Sequence, residues 1–399
     1  MAPRRSLDWL NFFLADVRGG MGAYVNVYLF AYAGWDQQTL GSVLTVSGLI
    51  GITLHAPIGA LIDRTRSKRG LLVASVVALA LAALAIAFWP TVPVVLAADI
   101  LMAILGAVFA PTVAAITVGM VGREELAGWL GRNAVFDRAG NLFIAAIVGL
   151  LGTYVAPQAP FFLVPLFASL TCIVMRGVDP ATIDHARARG LEAAQTDRPG
   201  EPVPWRRLLT YRPLLTLAAA VALFHFANAP LLPLIGQRFA LQNPGAELGL
   251  TSIAIIVSQV ATIAAALLVP WADTYGRKPL LVLACLSLPV RALLCAFSSD
   301  PVVIGAAQLL DGFGGGLLDA LLPLLLADIM RGSGHYSAAR GVTGFLQGVG
   351  GSSSQVVAGT LVLYAGYPAT FQVFSLIAVI PLLLAILAIP ETRPRWSQK

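Results

Sequence analysis

Apolar residues gather into twelve stretches along the chain, at 8–32, 38–62, 71–89, 92–120, 132–155, 161–176, 212–236, 250–270, 280–298, 301–329, 341–364 and 369–389. Each is read as a helix crossing the hydrocarbon core, about 30 Å thick, at ~1.5 Å per residue. Polar breakers such as "GWDQQ" (34–38), "APQAP" (156–160), "QNPG" (242–245) and "SSDP" (298–301) mark the turns between them. Gly and Pro recur inside the stretches, which suits close-packed membrane helices. The pattern predicts an all-α membrane protein of 12 transmembrane helices. Its longest connection, 177–211, contains the linker-like "RPGEPVP" and divides an N-terminal bundle, 1–176, from a C-terminal one, 212–399.

Composition agrees with the pattern: 58% of residues are hydrophobic and 12% charged, far from the quarter charged of soluble domains. The "MAPRRSLDWLNFFLAD" start resembles a signal peptide, but Asp8 and Asp16 break its apolar core, so it reads as an uncleaved first span. With the N-terminus placed in the cytoplasm, all but four of the 26 Lys and Arg residues fall on the cytoplasmic side. Arg238 lies outside, and Arg18, Arg138 and Arg291 lie within spans. The positive-inside rule therefore predicts both termini and the 177–211 connection in the cytoplasm. The basic charge arises from topology, and no nucleic-acid partner is expected. Cys172, Cys285 and Cys295 form neither a CxxC nor a Cys/His cluster, so no metal, cofactor or disulfide scaffold is indicated.

After span two comes "GALIDRTRSKRGLLV" (59–73), and after span eight comes "VPWADTYGRKPLLV" (269–282). Both place an Asp at a helix end, a basic cluster next, and then a new apolar span. The pair resembles the signature loop of the major facilitator superfamily, G-x-L-x-D-R-x-G-R-K. The first copy keeps Gly59, Leu61, Asp63, Arg64 and Lys68, with Arg66 at the second glycine. The second keeps Asp273, Gly276, Arg277 and Lys278, with Val269 at the first. The resemblance implies two pseudo-symmetric six-helix bundles working by alternating access, with spans one, four, seven and ten lining a cavity. It also gives the loop acids Asp63 and Asp273 a gating role at a helix N-terminus, against plain helix capping. The pattern is nearest to bacterial proton-coupled drug and metabolite antiporters, with two departures. Asp99 stands where that branch places an Arg, and "AGNLFIAAIVGLLG" (139–152) lacks its Gly-Pro.

Intramembrane charges are costly, so each is a functional candidate with a structural alternative. Counting from the two loops places Asp16 of span one opposite His225 of span seven, and Asp99 of span four opposite Asp311 of span ten. Helical rise puts Asp16, Arg18, Arg291 and Asp319 at ~14–17 Å above the cytoplasmic ends, and His225 near ~20 Å. Asp99 and Asp311 come out at ~27–30 Å. Asp16 is then either a proton carrier partnered by His225 or a fixed partner of an Arg. Arg18 is a counter-ion or an anion anchor. Arg291 and Asp319 match in height and are expected to form a structural salt bridge. Asp99 and Asp311 have no basic residue at their level, which makes them candidates for protons or cations. Asn228 joins His225 beside Pro230 and Pro233, where freed carbonyls can line a site. Asn133, Asp137 and Asn141 share a face of span five, as vestibule or as an interface network with Arg138.

These readings point to a secondary transporter of a small molecule, proton-coupled and without cofactor, acting as a monomer in a bacterial inner membrane. The acidic surplus inside the membrane favours cationic or neutral substrates. Export is slightly favoured, with an uptake permease for a nutrient, chelate or cation as the alternative. No H-E-x-x-H or G-x-S-x-G pattern supports an enzyme.

Overall fold

A computed structural model describes residues 3–15, 22–65, 67–121, 123–177, 210–330 and 336–392. Asp16 and Arg18 lie outside the described residues, as do the surroundings of Gly59 and the side chains of Asp63, Arg64 and Asp273. Helices run α1 Pro3–Ala15, α2 Gly22–Ala31, α3 Gln37–Arg64, α4 Lys68–Phe88, α5 Val92–Val121, α6 Arg123–Tyr154 and α7 Leu163–Arg176. They continue as α8 Arg212–Asn228, α9 Leu231–Gln242, α10 Glu247–Ala266, the short α11 Trp271–Tyr275, α12 Arg277–Phe297, α13 Pro301–Ile329 and α14 Tyr336–Leu383. No strand occurs among the described residues. Nine helical segments among them are long and apolar enough to cross a membrane. One of these, Ala339–Ala388, holds both of the last two predicted spans. They separate at Gly366, whose φ of 76° only glycine adopts without strain.

Local chemistry sets the element ends. Asp300 caps α13 by accepting from the Val302 amide at 2.8 Å, and Pro301 follows at the first helical position. Asp36 does the same for α3, accepting from the Thr39 amide at 2.8 Å and the Thr39 hydroxyl at 2.6 Å. Pro230, at the start of α9, separates α8 from α9, as its missing N–H requires.

The chain forms two compact units, one from 1–34 and 46–198, the other from 35–45 and 199–399. In the first, Asp8 of α1 takes both Nε and Nη2 of Arg132 on α6, at 2.6 and 2.7 Å. Asn133 of α6 donates to Thr117 of α5 at 2.9 Å, and Asn141 turns back to the Asp137 carbonyl of its own helix at 2.9 Å. The aromatic residues of span one pack likewise, Phe12 against Phe143 and Phe13 against Phe167.

The second unit has a continuous core of Leu, Ala and Phe from α8, α9, α12, α13 and α14. It also takes in the first turns of α3. The Gln37 amide donates to the Tyr367 hydroxyl at 3.3 Å, which donates to Gln237 at 3.2 Å. Thr45 donates to the Ser352 carbonyl at 2.8 Å and accepts from the Val356 amide at 3.0 Å. Gly41 and Gly359 permit this approach, because a Cβ at either would strike a backbone carbonyl.

Candidate functional site

Each unit builds the same polar pair on the same two helices. In the first, the Ser47 hydroxyl of α3 donates to Asp99 Oδ2 of α5 at 3.2 Å. In the second, the Ser258 hydroxyl of α10 donates to Asp311 Oδ2 of α13 at 2.7 Å. One turn further on, small residues hold the helices together. A Cβ on Gly51 would lie 2.7 Å from Ala103 Cβ, and one on Gly316 would lie 2.9 Å from Thr262. Close backbone approach at a glycine is how membrane helices gain packing without a hydrophobic driving force.

The pairs differ in what else they touch. Arg291 of α12, 1% exposed, fills the second half's site. Its Nη1 donates to Asp311 Oδ1 at 2.7 Å and to Asn228 Oδ1 at 2.6 Å, and its Nη2 donates to Gln308 Oε1 at 2.6 Å. The Nε has no hydrogen-bond partner among the described residues. Three helices, α8, α12 and α13, thus meet at one guanidinium, and its charge is balanced by Asp311.

This corrects two expectations. Arg291 bridges to Asp311 rather than Asp319, and Asp311 has a basic partner. The heights estimated from the apolar run misled because α12 begins at Arg277, three residues before that run, which raises Arg291 by ~4.5 Å. The long arginine stem covers the remainder. Asp319 lies on the same helix and is exposed.

His225 is half-buried on α8. Its Nδ1 lies 2.9 Å from the Val221 carbonyl, which can only accept, so Nδ1 carries the proton. Its Nε2 lies 2.9 Å from the Gln347 amide nitrogen of α14. The tautomer of the ring sets which of the two groups donates in this contact. The sequence reading missed Gln347, which nothing in its neighbourhood "GVTGFLQGVG" distinguishes.

At the loop between α11 and α12, Gly276 has φ 100°. Glu391, beyond the last span, accepts from the Arg277 amide at 2.8 Å and the Lys278 amide at 3.1 Å. A Cβ at position 276 would strike that carboxylate. The Arg277 side chain, which is buried, pairs with Asp328 of α13 at 3.2 Å. Asp328 also accepts from the Thr392 hydroxyl at 3.3 Å. The second signature loop is therefore tied to the ends of spans ten and twelve. Asp328 and Glu391 were both missed in the sequence. In the first copy, Lys68 opens α4 and is 1% exposed.

The sequence model described as Major Facilitator Superfamily matches residues 9–269 and 222–399. An uncharacterised MFS-type transporter of Mycobacterium tuberculosis, Rv2456c, is 38% identical over 393 residues, 97% of this chain and 93% of that protein. Among solved structures, the nucleoside transporter NupG aligns with a TM-score of 0.78 at 15% identity, over 97% of this chain and 98% of its own. A D-xylose-proton symporter aligns with a TM-score of 0.73 at 14% identity, over 98% and 97% of the two chains.

Proposed function

This chain belongs to the major facilitator superfamily, and from that footing we propose that it moves a small polar molecule across the membrane by proton-coupled alternating access. It is a multi-pass membrane transporter and not an enzyme. The reading of a polar, uncharged or cationic substrate is carried by one observation. His225 and the Gln347 amide, 2.9 Å apart and both half-buried, stand in the same unit as the exposed Asp319. An imidazole and an amide in the unit that holds this acid suit a solute that both gives and takes hydrogen bonds, and disfavour an anion.

The proposed placement is a bacterial inner membrane with both termini cytoplasmic, from the charge distribution. Export is the direction proposed from the sequence pattern. A second reading, uptake with protons, is favoured by the nucleoside transporter and xylose-proton symporter among the structural neighbours. Flux of a panel of nucleosides, pentoses and organic amines into proteoliposomes, under pH gradients of either sign, tests both. Accumulation with an inward proton gradient gives symport, and accumulation against it gives exchange. A panel moving at the same rate with and without a gradient would sink proton coupling.

A further inference from the structure

The matched Ser–Asp pairs are alike in position and unlike in chemistry. Asp311 is held between Ser258 and the Arg291 guanidinium, which stays charged at any working pH and only donates. That partner has nothing to accept from a carboxylic acid, so its bond to Asp311 is one made to a carboxylate. Asp99 has the Ser47 hydroxyl as its hydrogen-bond partner among the described residues. A hydroxyl donates to a carboxylate and equally accepts from a carboxylic acid, so the Ser47–Asp99 pair is complete in either protonation state.

Among the described residues no ion pair is seen at Asp99, where Arg291 stands beside Asp311 in the other half. By count from the signature loops, the position on α4 that matches Arg291 is Leu81, and α4 has no ionisable residue between Gly70 and Phe88. On α3 the ionisable residues are His55, two turns past Ser47, and Asp63 and Arg64 at the loop end. The charges of α6 (Arg123, Glu124, Glu125, Arg132, Asp137 and Arg138) all precede Ala139, in the half nearer the loop. Those of α1 are Arg4, Arg5 and Asp8, with Asp16 and Arg18 beyond its described end. Asp99 sits seven residues into α5, ~10 Å from the opposite end.

We propose that Asp99 is the carboxyl that takes up and releases the proton of transport, with Ser47 as the positioning residue that follows it between its two states. Asp311 is the matching carboxyl of the other half, converted by Arg291 into a fixed anchor. Proton coupling thus resides in one half of a symmetric frame. The assignment rests on the proton-coupled reading above.

The test needs no substrate. Infrared difference spectra of the full-length protein in lipid, titrated from mildly alkaline to mildly acidic pH, report protonation of buried carboxyls through their C=O stretch. The expected result is a protonated-carboxyl band in the wild type that is lost in Asp99→Asn and kept in Asp311→Asn. Ser47→Ala is expected to keep the band and raise its frequency, because the acid loses a hydrogen bond. The Ser47 variant carries the test should Asp99→Asn fail to fold. A band that survives in Asp99→Asn, vanishes in Asp311→Asn, or is unmoved in Ser47→Ala overturns the assignment. Proton movement with substrate, measured with a pH-sensitive dye in the flux assay, tests coupling separately. Coupled flux with an unchanged band in Asp99→Asn rejects Asp99 alone, whereas wild-type flux without proton movement rejects the coupling reading.

Discussion

Arg291 and Asp311 meet at 2.7 Å between α12 and α13, with the guanidinium buried and the carboxylate side chain 16% exposed. Removing one partner leaves a charge uncompensated in an apolar interior, which costs about 3–5 kcal/mol. Arg291→Met and Asp311→Asn are each expected to lower thermal stability in detergent, the former more, since Asn still accepts. The double variant Arg291→Met with Asp311→Leu is expected to regain most of the loss. Thermal unfolding followed by tryptophan fluorescence measures this, and a double variant no better than its singles contradicts it.

Glu391 caps α12 from beyond the last span. A carboxylate at a helix N-terminus satisfies free amides and meets the favourable end of the dipole. Glu391→Ala is expected to cost about 1 kcal/mol and to raise hydrogen exchange at the Arg277 and Lys278 amides. Gly276→Ala is expected to cost more, since it combines a strained φ with a blocked cap. Exchange measured by mass spectrometry separates a local opening from global destabilisation.

Asp36 gives a pH dependence outside the membrane. The Thr39 hydroxyl and amide hold its carboxyl below the ordinary carboxylate range. A depressed folded value means that the stabilisation is full above the unfolded titration and is lost as pH falls through the folded one. Asp36→Ala is expected to cost about 1 kcal/mol at neutral pH. The difference from wild type should shrink towards zero only in strong acid, as read from unfolding midpoints against pH.

Gln347 of α14 and His225 of α8 meet at 2.9 Å. Gln347→Glu places a carboxylate against the ring in place of an amide, which favours the imidazolium. The pH profile of flux, for whichever panel compound moves, should shift alkaline in Gln347→Glu and not in Gln347→Met. Identical profiles would separate His225 from the transport cycle.

Orientation is open to labelling. With Cys172 replaced by Ser, Ala246→Cys, exposed just before α10, is expected to react with an impermeant maleimide in intact cells. Arg187→Cys in the long connection is expected not to react. The opposite pattern reverses the topology.

The long helices and their ends followed from the chain itself, because lipid requires every backbone group to be bonded within the helix. Composition and breakers such as Asp36 and Asp300 therefore located them, whereas the division of span seven at Pro230 came from the structure. The internal repeat was equally legible, since two imperfect loops sat at matching distances from matching acids. The partner choices were not. Arg291 lay nearer Asp319 in estimated height, and only the true start of α12 and the reach of the guanidinium settled it on Asp311. Glu391 meets Gly276 across more than a hundred residues, and Gln347 meets His225 across a similar span. Hydropathy fixes depth along each helix to within a few residues. Rotation about the helix axis decides which side chains meet, and that angle is set by interhelical packing, at contacts such as Gly51 on Ala103 and Gly316 on Thr262.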